Sequence, residues 1–319
     1  MRKLKSNIIP RLVILLCIMM TGASTYAQQQ GMFTQYMFNG LAINPAYAGS
    51  HETLSLTALT RYQWVGFDGA PNTQSFSAHA PFKKDRIALG LQLYNDNIGV
   101  SQTFSTFVSA AYRINFEKST LSLGLQLGFS SFKSDVTSLN PVYDFNDVAL
   151  SQNVNEPFKP NMGSGAYYYY SDRFYVGFSM PMMFNQTINS FDIDDSNLSY
   201  KSGQAKRHMF LTGGYVFDLN THFKLKPSVL LKYVAGAPVS VDINTNLLID
   251  EVLWVGVSYR NGESVDFLLE LQITSGLRFG YAYDYILNDI NNVSNGSHEL
   301  MLNYRIEFKK DNITSPRYF

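Results

Sequence analysis

Cysteine is all but missing from this chain: Cys17 is the only one in 319 residues. It sits in a short apolar run, Leu12 to Met20, behind a basic start of Arg2, Lys3, Lys5 and Arg11. That layout is an export signal, and Thr25 and Ala27 suit the −3 and −1 positions of a cut before Gln28. Leu15 and Leu16 stand ahead of Cys17, where a lipoprotein signal wants a small residue. Cleavage after Ala27 is expected to leave a mature chain with no thiol, which excludes disulfides, thiolate metal sites and cysteine nucleophiles. Long apolar runs are lacking too. The signal core is too short for a bilayer of ~30 Å, and nothing after Ala27 approaches the ~18 residues of a helical span. Charge is sparse, at 16% of residues against about 25% in soluble domains. Basic and acidic groups balance at 25 each, and losing the four signal cations leaves 21 against 25. Such a balance argues against nucleic acid as a partner.

What the chain does have is aromatic weight, 14% of residues, with 21 Tyr and 23 Phe. Export, few charges and many aromatics point to a lipid-facing surface. Without a helical span, only a closed barrel can cross a membrane, because every backbone group must be paired inside it. The apolar period agrees. Leu121, Leu123, Leu125, Leu127 and Phe129 alternate with Ser122, Gly124, Gln126, Gly128 and Ser130, a period of two that reads as a strand. Ile87 to Tyr94 and Val265 to Ile273 repeat the pattern. A soluble sandwich alternates as well, but its wet face carries Lys, Glu and Thr. Here the second face is mostly Gly, Ser, Gln and Asn, which suits a barrel interior.

About fourteen strands are expected, starting near Thr53, Asn72, Arg86, Val100, Ser119, Lys159, Arg173, His208, Phe223, Val239, Val252, Ser264, Leu277 and Ser297. Asn261-Gly262, Ser171-Asp172 and Glu117-Lys118 read as tight hairpins. Asp135 to Phe158, Asn185 to Arg207 and Leu287 to Gly296 read as long loops. Short periplasmic turns and long external loops are the barrel habit, which places those three loops outside. Aromatics near strand ends, such as Tyr62 and Trp64, Tyr112 and Phe116, Tyr167 to Tyr170, Tyr215 and Phe217, and Tyr281, Tyr283 and Tyr285, suggest girdles at the two interfaces. The reading is therefore all-β: a transmembrane antiparallel outer-membrane β-barrel over 53–319, an arm or plug over 28–52, and a signal peptide over 1–27.

The arm does not alternate. Phe33, Tyr36, Met37, Phe38, Leu41 and Ile43 call for burial, so it either plugs the barrel or rests at the periplasmic mouth. Catalytic chemistry has little footing. The histidines at 51, 79, 208, 222 and 298 have no ligand spacing, and no nucleophile elbow, Walker loop or dinucleotide fingerprint occurs. No cofactor is expected. Gly163-Ser164-Gly165 reads as strand glycine against the lumen, and Asp192, Asp194 and Asp195 as a solvated acidic loop. One electrostatic pattern stands out. If the apolar faces look to lipid, Lys232, Asp242, Arg260, Asp266, Glu270, Arg278, Asp284, Glu299 and Arg305 all point inward and can pair across strands, filling the lumen.

Phe33-Thr34-Gln35-Tyr36-Met37-Phe38-Asn39 and Asn44-Pro45-Ala46-Tyr47-Ala48-Gly49-Ser50 resemble the opening signature of PorP/SprF proteins. The likeness continues through Arg61-Tyr62-Gln63-Trp64, Gly66, Gly69-Ala70-Pro71, Thr73-Gln74 and His79. It returns at Gly280-Tyr281-Ala282-Tyr283-Asp284 and Gly296-Ser297-His298-Glu299-Leu300. Thr34 and Gly40 depart from the expected Ser and Pro. The resemblance implies a non-enzymatic outer-membrane component of the type IX secretion and gliding machinery of Bacteroidota, one that anchors or assists export of a secreted surface protein. Outer-membrane lipid is one implied partner, and the other is either the periplasmic type IX components or one large secreted adhesin. Phe33, Gln35, Tyr36, Phe38, Asn39, Asn44, Pro45, Tyr47 and Gly49 are the candidates for partner docking or for plugging. A channel for small solutes is the alternative function.

Overall fold

The computed structural model describes residues 32–82, 86–138, 153–193 and 198–307, with side chains left out over 186–205. The expected signal peptide, the first residues of the arm and Asp194 and Asp195 lie outside the described residues. Among the described residues there are seventeen strands. The first seven are β1 (Leu54–Tyr62), β2 (Asn72–Phe82), β3 (Ile87–Ile98), β4 (Ser101–Asn115), β5 (Ser119–Ser134), β6 (Val154–Tyr170) and β7 (Phe174–Met180). A separate hairpin follows, β8 (Gln186–Ile193) and β9 (Leu198–Ala205). The rest are β10 (His208–Tyr215), β11 (Phe217–Asp218), β12 (Phe223–Val234), β13 (Ser240–Ile249), β14 (Leu253–Arg260), β15 (Ser264–Gln272), β16 (Leu277–Ile286) and β17 (Ser297–Ile306).

Fourteen of these close into one antiparallel ring. Chain neighbours pair from β1 to β7 and from β12 to β17, β10 pairs with β7 and with β12, and β1 pairs with β17 to complete the circle. β11 is a two-residue strip beside β12. Closure removes the unpaired edges that lipid would not tolerate. Both ends of the barrel chain, Leu54 and Ile306, are register partners at one rim. That rim also holds the short turns at 116–118, 171–173 and 250–252. Asp250 and Glu251 have φ of 50° and 60° there, as a tight primed turn needs. Long connections gather at the other rim, which marks it as the outer side.

Alternation sets the wall. On β5, Leu123, Leu125 and Leu127 are exposed while Ser122, Gly124 and Gln126 are buried, so the apolar face looks out and the small polar face looks in. The same parity divides the aromatic run of β6. Tyr168 and Tyr170 face outward, but Tyr167 and Tyr169 are buried in the lumen, so only half of that run is available to a girdle. β6 begins at Val154, five residues before its expected start, and a register shift near Ser130 and Phe132 of β5 accommodates the early residues. Pro157 and Pro160 hid this stretch from the alternation test. The hairpin β8–β9 lies in what reads from sequence as loop, and it pairs with itself as a two-stranded sheet outside the ring's ladder.

Candidate functional site

The lumen is occupied by the chain's own arm. Residues 33–50 cross it lengthwise through two short 3₁₀ turns, Gly40–Ala42 and Pro45–Tyr47. The crossing starts near the outer rim. Thr34 N–H donates to Glu299 Oε2 at 2.9 Å and Gln35 N–H to Glu299 Oε1 at 2.8 Å. The Thr34 hydroxyl donates to Asp284 at 2.8 Å. Arg61 completes this clamp, 2.7 Å from Asp284 Oδ2 and 3.2 Å from Glu299 Oε2. All three charged side chains are shut off from solvent, where a carboxylate is tolerated only with partners of this kind.

Further in, polar wall residues satisfy the backbone of a segment that has no sheet to join. Ser77 donates to Asn39 Oδ1 at 3.0 Å, Ser179 to the Ile43 carbonyl at 2.6 Å, and Gln92 to the Leu41 carbonyl. Asn44 donates to the Ala166 carbonyl at 3.1 Å, and its own Oδ1 accepts Ala46 N–H at 2.9 Å, which caps the second turn. The arm's apolar side chains meet the few large apolar groups that point inward. Phe33, Phe38 and Ile43 pack with Leu59, Trp254 and Leu268. Lys226 lies over the rings of Phe38 and Trp254 at 5.0 and 4.8 Å, a cation–π contact.

Glycines in the wall supply the room. A Cβ on Gly124 would sit 2.3 Å from Ala46 N, and one on Gly165 2.1 Å from Asn44 Oδ1. Gly280 stands in the same relation to Gln35 Oε1, at 2.1 Å. Strand glycines that admit a close backbone are a recognised reason for tolerating glycine's cost in a sheet. At the turn-bearing rim the arm ends among rings. Tyr47 Oη is 3.0 Å from His51 Nε2, and Gly49 N–H donates to His79 Nδ1 at 3.1 Å. The two histidine rings, isolated in sequence, lie 5.1 Å apart, with Arg305 donating to His51.

All nine docking or plug candidates are therefore buried in the lumen: Phe33, Gln35, Tyr36, Phe38, Asn39, Asn44, Pro45, Tyr47 and Gly49. The nine expected lumen charges occupy inward positions of their strands. Several of them pair across strands. Asp242 accepts from Arg260 at 3.0 Å, and Glu270 from Arg278 at 3.1 Å. Asp284 and Glu299 share Arg61, Arg305 meets His51, Asp266 faces Asp284 across the β15–β16 register, and Lys232 is buried on β12. Arg61 on β1, Arg113 on β4 and Lys226 on β12 are further buried inward charges outside those nine, at positions that the same alternation turns to the lumen. Arg113 lies 2.7 Å from Tyr169 Oη. Replacing Arg278 with Leu strands the buried Glu270 carboxylate, and a lower heat-modifiable melting temperature on gels is expected. An unchanged value would deny the pair a structural part.

A closed ring of fourteen strands with an apolar outer face, whose first and last strands begin and end at the short-turn rim, defines an outer-membrane β-barrel. The chain belongs to the type IX secretion system membrane protein PorP/SprF family, whose model matches residues 25–304. It is thus a component of type IX secretion. Among solved structures it is similar in fold to the CymD monoaromatic hydrocarbon channel, with 15% identity, a TM-score of 0.52, and coverage of 86% of this chain and 94% of that one. The TodX deltaS2S3 mutant monoaromatic hydrocarbon channel is similar at 13% identity and a TM-score of 0.51, with 84% and 94% covered. Identities this low speak for the barrel alone. No curated protein matches the sequence.

Proposed function

We propose that the protein is a sealed, non-enzymatic barrel that anchors or assists export of a secreted surface protein within the type IX secretion and gliding machinery. The seated arm carries this reading, since nearly every residue from Phe33 to Ser50 is buried in the lumen. A lumen filled by hydrogen-bonded and ion-paired chain offers no path for free diffusion. The arm residues then act as a plug, and contact with periplasmic type IX components or one large adhesin falls to the rims and loops. The alternative, a channel for small solutes, requires the arm to leave. The test is a pull-down of the tagged protein from mild-detergent outer membranes, with mass spectrometry and planar-bilayer recording of the same preparation. Type IX companions and a closed barrel are expected. A companion-free barrel with steady ion conductance would replace this reading with the channel.

A further inference from the structure

On the outer wall, near the loop-bearing rim, outward-facing amides form a hydrogen-bonded row across three strands. Gln74 of β2 donates to Asn72, Asn95 of β3 donates to Gln74, and Gln102 of β4 donates to Asn95, each at 2.8 Å. The row sits at the upper limit of the apolar band. One outward position lower, toward the turn-bearing rim, the residues are Phe76, Leu93 and Phe104, and on β5 the apolar face reaches up to Phe129, which faces Thr106. On β5 the wall continues above the apolar band. Lys133 lies four residues beyond Phe129, about 13 Å along the strand, and faces Gln102 in the β4–β5 register. Across the barrel, β14 stays apolar outward to its end at Val257 and Tyr259. Between β3 and β5 the raised wall holds a recess of about 280 Å³ lined by Asn95, Gln102, Phe104, Ser131 and Lys133.

We propose that this recess binds the phosphorylated sugar headgroup of an outer-leaflet glycolipid. Each side-chain amide has two donors and two acceptor lone pairs, so the row can hold its own bonds and still meet sugar hydroxyls. Lys133 is exposed and brings a compact positive charge suited to a phosphate. Phe104, with 42% of its surface exposed, joins the recess to the apolar band, so acyl chains can continue downward from a headgroup held above. That continuity selects a lipid-borne phosphosugar over a free anion.

Binding is tested on the intact detergent-purified barrel by native mass spectrometry and thermal melting. The probes are a phosphorylated glucosamine-based glycolipid, its dephosphorylated form, phosphatidylglycerol and inorganic phosphate. Retention of the phosphorylated glycolipid with a raised melting temperature is expected, as is about tenfold weaker retention by Lys133→Glu, in line with one charge-assisted bond. Gln102→Leu should weaken it too. Lys118→Glu, on the opposite rim, should bind as the wild type does. Equal retention by Lys133→Glu would overturn the proposal. So would an equal shift from phosphatidylglycerol or from inorganic phosphate.

Discussion

Replacing Gly124 with valine is expected to unseat the arm and turn a closed barrel into a conducting one. The new Cβ would fall 2.3 Å from Ala46 N and 2.5 Å from the Pro45 carbonyl carbon. These are backbone atoms of a 3₁₀ turn that Asn44 caps and that the Tyr47 ring braces against Tyr167, so they have nowhere to retreat. Forced overpacking alone costs about 1–3 kcal/mol. Expelling the arm costs more, because each large apolar side chain returned to water forfeits about 1.5–3 kcal/mol. The heat-modifiable melting temperature should drop steeply and bilayer conductance should appear. Gly165→Ala, whose tightest neighbour is a side-chain oxygen, that of Asn44 at 2.1 Å, should do the same more mildly. Gly213→Ala, whose nearest neighbour is at an ordinary 3.4 Å, should leave both readouts near the wild type. A Gly124→Val barrel that melts normally and stays closed would show that the arm does not seal the lumen.

Arg61→Met is expected to destabilise the barrel by roughly 3–5 kcal/mol, the usual cost of leaving a buried carboxylate partnerless. The loss lands on Asp284 and Glu299 together, both buried and both within 3.2 Å of the guanidinium. It also reaches the arm, since the same carboxylates hold Thr34 and Gln35. The diagnostic result is coupling. Adding Asp284→Asn to Arg61→Met should restore part of the stability, as residues of one network do not contribute additively. Denaturant melts of the two single variants and the double variant in detergent measure this. Simple additivity would mean that the clamp is not a unit.

Much of the wall can be read along the chain because membrane strands obey a local rule. A period of two divides lipid from lumen whichever strands are neighbours, so the starts of β2, β5, β10, β12, β15, β16 and β17 are visible in the sequence to the residue. The tight turns follow from local chemistry as well, with Gly262 at a φ of 69° in the β14–β15 hairpin. The rule lapses where prolines interrupt it, at the start of β6, and where a hairpin pairs outside the ring's ladder, at β8 and β9.

The arm obeys no such rule. Its residues announce burial through Phe33, Tyr36 and Phe38, yet nothing local tells a plug from a pad at the periplasmic mouth. Only ring closure sets Gly124 and Gly165, register partners on β5 and β6, and Gly280 on distant β16 around one lumen where the arm presses on the wall. Closure likewise carries Arg61 to carboxylates more than two hundred residues away. By itself the sequence determined an outer-membrane barrel with an apolar outer skin and an inward polar face, because alternation and composition are properties of each strand alone. What fills that barrel was decided by tertiary structure, because a partner across a lumen is set by curvature and register around the whole ring.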